Sequence, residues 1–325
     1  MTGLVDEFDA VVCDLDGVVY TGPVAVDQAV DALNALPLPV VYATNNAART
    51  PGDVAAHLRD LGITVSDELV LTSSLAAARE LSDVLPSGAT VLAVGGEGVG
   101  AALRAVGLVP VLPGDEGEVA AVLQGYGPKV TAADLGAAAA AIRAGARWVA
   151  TNDDLTLPTE RGPAPGNGSL VGAVRPAVDV DPEVIGKPHP PIYVLAARAV
   201  GADAARTLAV GDRLETDIAG AHATGMAGAL VLTGVHGVAD AAAAPPGQRP
   251  TYLLTDLRDL LAAYPAARVE GEWFHRGEAR ARCTDTLETE GQGIDVERAA
   301  LDAVWAAVDA GRITRGDARA MLATG

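Results

Sequence analysis

Cysteine is nearly absent: the chain has 2, Cys13 and Cys283, far apart in sequence. That excludes a disulfide framework and a cysteine-based zinc site, and it fits a reducing compartment, expected here to be the cytoplasm. Aromatic side chains are only 3% of residues although half are hydrophobic, so the core has to be built from Ala, Val and Leu. No apolar run approaches the roughly 18–20 residues of a membrane span. The first nine residues carry Asp6, Glu7 and Asp9 but no Lys or Arg, unlike a secretory signal. Without such a signal, Asn167-Gly168-Ser169 reads as a chance match to a glycosylation sequon. Positive charge is scarce too, since 23 Lys and Arg stand against 42 Asp and Glu, a formal charge of −19. Phosphate backbones are bound by basic surfaces, so neither nucleic acid nor a membrane is an expected partner. An anionic small substrate would need a local positive site, from a metal ion, a lysine or a helix N-terminus.

What is present is a regular alternation. Short Val-rich runs follow Ala-rich amphipathic stretches, the pattern of βα units on a largely parallel sheet. FDAVVC, LPVVYA, TLAVG and GALVLT read as strands. AVDQAVDALNALP, TPGDVAAHLRDLG, HPPIYVLAARAVG and TDIAGAHATG read as helices, the second with Thr50 as N-cap and Pro51 in the first turn. Between them lies a second alternation (ATVLAVG, GAALRAVG, EVAAVLQG, AADLGAAAAAIRAG, ARWVAT). The 325 residues exceed one ordinary core. The expected architecture is therefore a doubly wound, Rossmann-like α/β core of residues 1–75 and 186–262 with an α/β cap inserted at 76–185. Residues 263–325 change style to charged strands and two helices, the last capped by Thr314, and form a small α+β extension.

In open α/β sheets ligands bind beyond the carboxyl ends of the strands. Four such ends carry chemistry here. The first strand leads into Asp14 and Asp16, and the second into Thr44-Asn45-Asn46. Lys187 stands in VIGKPHP before a helix, and TLAVG runs into Asp212 with Asp217 five residues on. Taken singly, each has a plain explanation. Aspartate is a common turn residue, Thr and Asn cap helices, a lone lysine is usually a solvated charge, and Asp217 suits a helix first turn. Together, three or four carboxylates, a hydroxyl and one lysine can hold a hard divalent cation and a phosphate.

The segments DLDGVVY, ATNN, GKPHP and GDRLETDI, in this order and spacing, resemble the four motifs of the haloacid dehalogenase-like phosphatases. The insert resembles the large α/β cap of their NagD-like subgroup, and the match spans roughly residues 8–262. The resemblance implies hydrolysis of a small phosphate monoester, glycerol 3-phosphate first among them, through an aspartyl-phosphate. Phosphoglycolate, sugar, pyridoxal or nucleoside phosphates are the alternatives. It assigns Asp14 as nucleophile and Asp16 as acid and then base. Asp14, the Asp16 carbonyl, Asp212 and Asp217 would hold Mg²⁺. Thr44, Lys187 and the Asn45 and Asn46 amides would bind phosphoryl oxygens. Asn152, Asp154 and Arg161 fall in the cap's substrate loop, with Asp153 where relatives often have Pro. Such a chain leaves room for a homo-oligomer through the cap or the extension.

Other readings weigh less. A dehalogenase would not need Asp16 as acid, and a phosphomutase fits a large cap poorly. A non-enzymatic phospho-receiver shares the acid pair, Thr and Lys but is a single compact unit without an insert. Gly96, Gly98 and Ala101 fit G-x-G-x-x-A, with Glu116 about 20 residues on, the spacing of a dinucleotide fingerprint. Glycine and alanine are so abundant that the match is expected by chance. His189, between prolines, is expected to shape its loop, and His222 to lie within a helix as a packed or partly exposed residue.

Overall fold

The computed structural model describes residues 3–115, 117–157 and 162–323. The chain divides into two compact units, residues 1–40 with 200–325, and residues 41–199.

In the first unit the strands Ala10–Cys13, Thr207–Gly211, Ala227–Val231 and Tyr252–Leu254 run parallel, each beside the next. Ala10–Cys13 and Thr207–Gly211 are buried at every position, as expected of strands covered on both faces. The register sets Cys13 against Val210, so the residues that follow both strands emerge side by side. A π-helical turn, Leu214–Ile218, runs into the helix Ala219–Thr224 where the sequence pattern predicts one continuous α-helix. The wider turn is forced locally, because Asp217 folds back to accept a hydrogen bond from the Arg213 N–H, and such bulges recur at functional sites.

The C-terminal residues belong to the same unit. Four antiparallel strands, Ala267–Glu270, Trp273–Arg276, Ala279–Cys283 and Leu287–Glu290, form a meander. In Ala279–Cys283 the alanines and cysteine are buried while Arg280 and Arg282 point outward, the period of two that a half-covered strand requires. Its buried face packs with the helix Ile294–Asp309, and Ala299, Ala300, Ala303, Val304 and Ala307 share one apolar cluster with Leu214, Ile218 and Leu230.

The second unit pairs Val40–Thr44 with Val70–Thr72 in parallel. It also holds a five-stranded parallel sheet in the order Glu183–Val184, Arg147–Ala150, Ala121–Gln124, Thr90–Val94, Val109–Val111. Helices cover it, and small residues such as Ala138, Ala139 and Ala150 let them sit close. With aromatics so few, Tyr193 is the bulkiest of the fully buried side chains. Thr50 and Thr131 cap their helices in reciprocal boxes with Asp53 and Asp134, as Thr314 does with Asp317 in the first unit. Parallel sheets flanked by helices make this an α/β, Rossmann-like fold with a small α+β extension. Among the described residues no helix is long and apolar enough to cross a membrane.

Candidate active site

In the first unit, carboxylate oxygens of Asp14, Asp212 and Asp217 lie within 4.8 Å of one another. Strand ends supply two of them, and the π-helical turn supplies the third. Asp212 and Asp217 are buried and Asp14 is half-buried. Asp212 accepts a 2.7 Å hydrogen bond from the Val235 N–H, and Asp217 a 3.1 Å bond from the Arg213 N–H. Three carboxylates this close, two of them buried, repel one another when ionised, and a divalent cation is the natural compensation. Hard oxygen donors suit Mg²⁺, which accepts a few carboxylates and keeps water or phosphate in its remaining positions. The donor set therefore fits the ion expected from the sequence.

Asp16 stands apart from this trio. Its side chain is exposed, Leu15 between it and Asp14 is fully buried, and so the extended segment turns both aspartates to the same side. Gly17 closes the turn at φ 83°, donating to the Tyr20 carbonyl at 2.8 Å. A Cβ there would overlap the Asp212 carboxylate, so backbone conformation and close approach both require glycine. Thr233 donates to the Gly17 carbonyl at 2.8 Å and pins the loop from the far strand end. The His236 Nδ1 accepts from the Leu214 N–H at 3.0 Å and holds the start of the π-helical turn. Thr233, Val235 and His236 were not expected from the sequence. Their only signal is their place directly after a strand, in VLTGVHG.

The second unit gathers Thr44, Asn45, Asn46, Asn152, Asp154 and Lys187. Thr44 is buried, and its hydroxyl oxygen accepts the Asn46 N–H at 3.1 Å. Lys187, only 4% exposed, begins the turn into Pro190–Ala199, through a cis bond to Pro188. The Asn45 side chain meets Lys187 twice: its Oδ1 accepts the Lys187 N–H at 2.8 Å and its Nδ2 donates to the Lys187 carbonyl at 3.0 Å. The same Nδ2 donates to Asp154 Oδ2 at 3.0 Å. Asn152, also buried, donates to the Asn45 carbonyl at 2.8 Å. Asn167, of the sequon, is 1% exposed and donates to the Asn152 carbonyl at 2.7 Å, a structural role. Ser73 completes the loop by donating to the Asn45 carbonyl at 2.9 Å.

His189 Nε2 lies 3.1 Å from Asp153 Oδ2, joining the lysine turn to the substrate loop, and the hydrogen bond from His189 holds the Asp153 carboxyl below its ordinary range. His222 is exposed on its helix. Arg161, expected in the substrate loop, lies outside the described residues, as does Glu116. The dinucleotide-like glycines have a packing explanation: a Cβ on Gly98 would meet the Ala47 and Arg49 carbonyls, and the Gly98 N–H donates to Ala48. Those glycines seat the helix Glu97–Ala105 on the segment after Asn46.

Residues 11–109 match the family profile described as haloacid dehalogenase-like hydrolase, and residues 184–260 match a second, described as HAD-hydrolase-like. The chain is 42% identical to the D-glycerol 3-phosphate phosphatase of Mycobacterium tuberculosis, over 99% of its own length and 95% of that protein's. It is 38% identical to the acid sugar phosphatase of Staphylococcus aureus, over 79% of this chain and 98% of the relative. Among solved structures, the mycobacterial glycerol phosphate phosphatase in complex with magnesium superposes with a TM-score of 0.84 at 40% identity, covering 100% of this chain and 99% of that one. The p-nitrophenyl phosphatase from Archaeoglobus fulgidus superposes at 0.71 and 29% identity, over 78% and 98%.

Proposed function

The chain belongs to the haloacid dehalogenase-like hydrolases, and from that premise we propose that it is a Mg²⁺-dependent phosphatase of a small phosphate monoester, glycerol 3-phosphate foremost. The observation that carries the reading is the cluster of Asp14, Asp212 and Asp217. The substrate assignment is supported by a glycerol 3-phosphate phosphatase at 42% identity along almost the whole chain.

Phosphate monoester hydrolysis needs accelerations of up to ~10²¹, beyond the ~10²–10⁴ of general acid catalysis alone. In the proposed reaction an Asp14 oxygen attacks phosphorus while the bond to the alkoxide breaks, and Asp16 gives that alkoxide its proton. Asp16 then takes a proton from the water that attacks the aspartyl-phosphate, which frees Asp14 and phosphate. The exposure of Asp16 supports this role, because a proton carrier has to reach both leaving group and water. Asp14, the Asp16 carbonyl, Asp212 and Asp217 would hold Mg²⁺, which would supply charge neutralisation for the dianionic phosphate. Lys187 and Thr44 bind phosphoryl oxygens, with the Asn45 and Asn46 backbone amides beside them, and Asn152, Asp154 and Arg161 are assigned to recognition of the organic group. The core is assigned to residues 1–75 and 186–262 and the cap to 76–185, the protein acting in the cytoplasm, either alone or as a homo-oligomer.

Release of phosphate from 4-nitrophenyl phosphate and from a panel of polyol, sugar and nucleoside monophosphates tests the reading. Asp14→Asn should abolish Mg²⁺-dependent release, and Asp16→Asn should leave at most a trapped phosphoenzyme. Undiminished turnover in Asp14→Asn would remove the nucleophile. Equal rates on nucleotides and polyols would remove the substrate preference.

A further inference from the structure

We propose that Asn45 is a positioning residue for Lys187, linking the lysine to the substrate loop through Asp154, and that its side chain does not itself bind substrate. The inference rests on the proposed role of Lys187 as a phosphate ligand. Its basis is a count of donors. A side-chain amide has two N–H donors and one carbonyl oxygen. The two Nδ2 hydrogens are accounted for by the Lys187 carbonyl and Asp154 Oδ2, both at 3.0 Å, and Oδ1 takes the Lys187 N–H at 2.8 Å. Nothing in that side chain is left to donate to a phosphoryl oxygen.

The pair of hydrogen bonds to the Lys187 backbone N–H and C=O is the pairing that a neighbouring strand would make, and it fixes the Lys187 backbone in both position and rotation. Close approach is built in from the other side: a Cβ on Gly186 would lie 2.6 Å from the Asn45 Oδ1, so the residue before the lysine has to be glycine. The Asn45 backbone is held in turn, since its carbonyl accepts from Ser73 and from Asn152. Asn152 also accepts the Asp154 N–H at 3.2 Å. Asn45, Asn152, Asp154 and Lys187 thus form one connected network, of the kind whose members act jointly. A lysine on a flexible stem gains most from such support, because its ammonium is a point charge with no geometry of its own.

A double-mutant cycle on kcat/KM for 4-nitrophenyl phosphate tests this. Asn45→Ala should lower kcat/KM by about tenfold or more, the equivalent of about 1.4 kcal/mol. In a Lys187→Ala background the same substitution should have almost no further effect, because a residue that acts only through Lys187 has nothing left to position. Equal losses in both backgrounds would overturn the inference and return Asn45 to the substrate. If Asn45→Ala does not fold, as a thermal melt would show, Asn45→Asp carries the test: it keeps the volume and the acceptor for the Lys187 N–H but loses both donors. Wild-type kcat/KM in Lys187→Ala would instead overturn the role of Lys187 on which the inference depends. Impaired Lys187→Ala with additive Asn45 losses rejects only the positioning role.

Discussion

At the scale of single residues, the carboxylate trio depends on neighbours that carry no charge. Gly17 combines a left-handed backbone with contact against Asp212, so Gly17→Ala meets both a φ strain of about 1–3 kcal/mol and a displaced Asp212, a proposed metal ligand. The variant should fold, with a lowered melting temperature, and should need roughly tenfold more Mg²⁺ for half-maximal phosphate release, equivalent to about 1.4 kcal/mol of lost binding. A Mg²⁺ titration of activity checks it, and an unchanged midpoint would exclude the contact as a determinant of the site. A second residue is testable by pH. Glu297 is half-buried, and burial pushes its carboxyl above the ordinary glutamate range, with Arg298 opposing. A raised carboxyl favours the protonated form in the fold. Its stabilising contribution is therefore complete below the unfolded value of ~4.3 and is lost as pH rises through the folded one. Glu297→Gln should raise the melting temperature by about 1–3 °C at pH 7 and leave it unchanged near pH 3, a difference readable by calorimetry at the two pH values.

At the scale of elements, caps and alternation were legible because they are local. Thr50 Oγ1 accepts the Asp53 N–H at 3.1 Å, while the Asp53 carboxylate accepts from the Thr50 hydroxyl at 2.7 Å and from the Thr50 N–H at 3.2 Å; the hydroxyl bond first, then the N–H bond, lowers the Asp53 carboxyl. Thr50→Ala should cost about 1 kcal/mol, seen as a lower urea midpoint with unchanged slope; a changed slope would mean that more than the helix end had altered. The strands and helices around Asp14, Thr44, Lys187 and Asp212 follow from apolar runs broken by Gly and Pro, and the sequence pattern locates them well. What it does not reveal depends on contacts between distant positions. The Asn45–Asp154 bond joins residues 109 apart, and Thr233 reaches Gly17 across 216. No periodicity within a window of 18 residues encodes either. The π-helical turn is a middle case: TDIAGAHATG has helical spacing, but the bond from the Arg213 N–H to Asp217 redraws its first turn.

At the scale of the whole molecule, the C-terminal extension lies beyond residue 260, where the matches to the family profiles end, as a separable appendage would. Its packing here argues otherwise. Arg298 is 6% exposed, donates twice to the Leu253 carbonyl at 3.0 and 2.8 Å, pairs with Asp295, and stacks 4.1 Å above the Tyr264 ring. Trp305 donates to the Ala241 carbonyl at 2.9 Å. The extension also supplies Ala299, Val304 and Ala307 to the cluster that contains Leu214 and Ile218, the two ends of the turn that carries Asp217. Removing residues 264–325 would uncover that apolar face directly behind a proposed metal ligand, and exposed faces of this kind favour aggregation. The truncated chain should therefore be poorly soluble or, where soluble, weaker in Mg²⁺ activation. Arg298→Met, which keeps the length of the stem but leaves the Leu253 carbonyl and Asp295 without their donor, separates the two effects. It should lower stability by roughly 2–3 kcal/mol while leaving the Mg²⁺ midpoint near that of the intact chain. A truncated chain with full solubility and an unaltered Mg²⁺ midpoint would show that the extension is an appendage and not the support of the Asp217 turn.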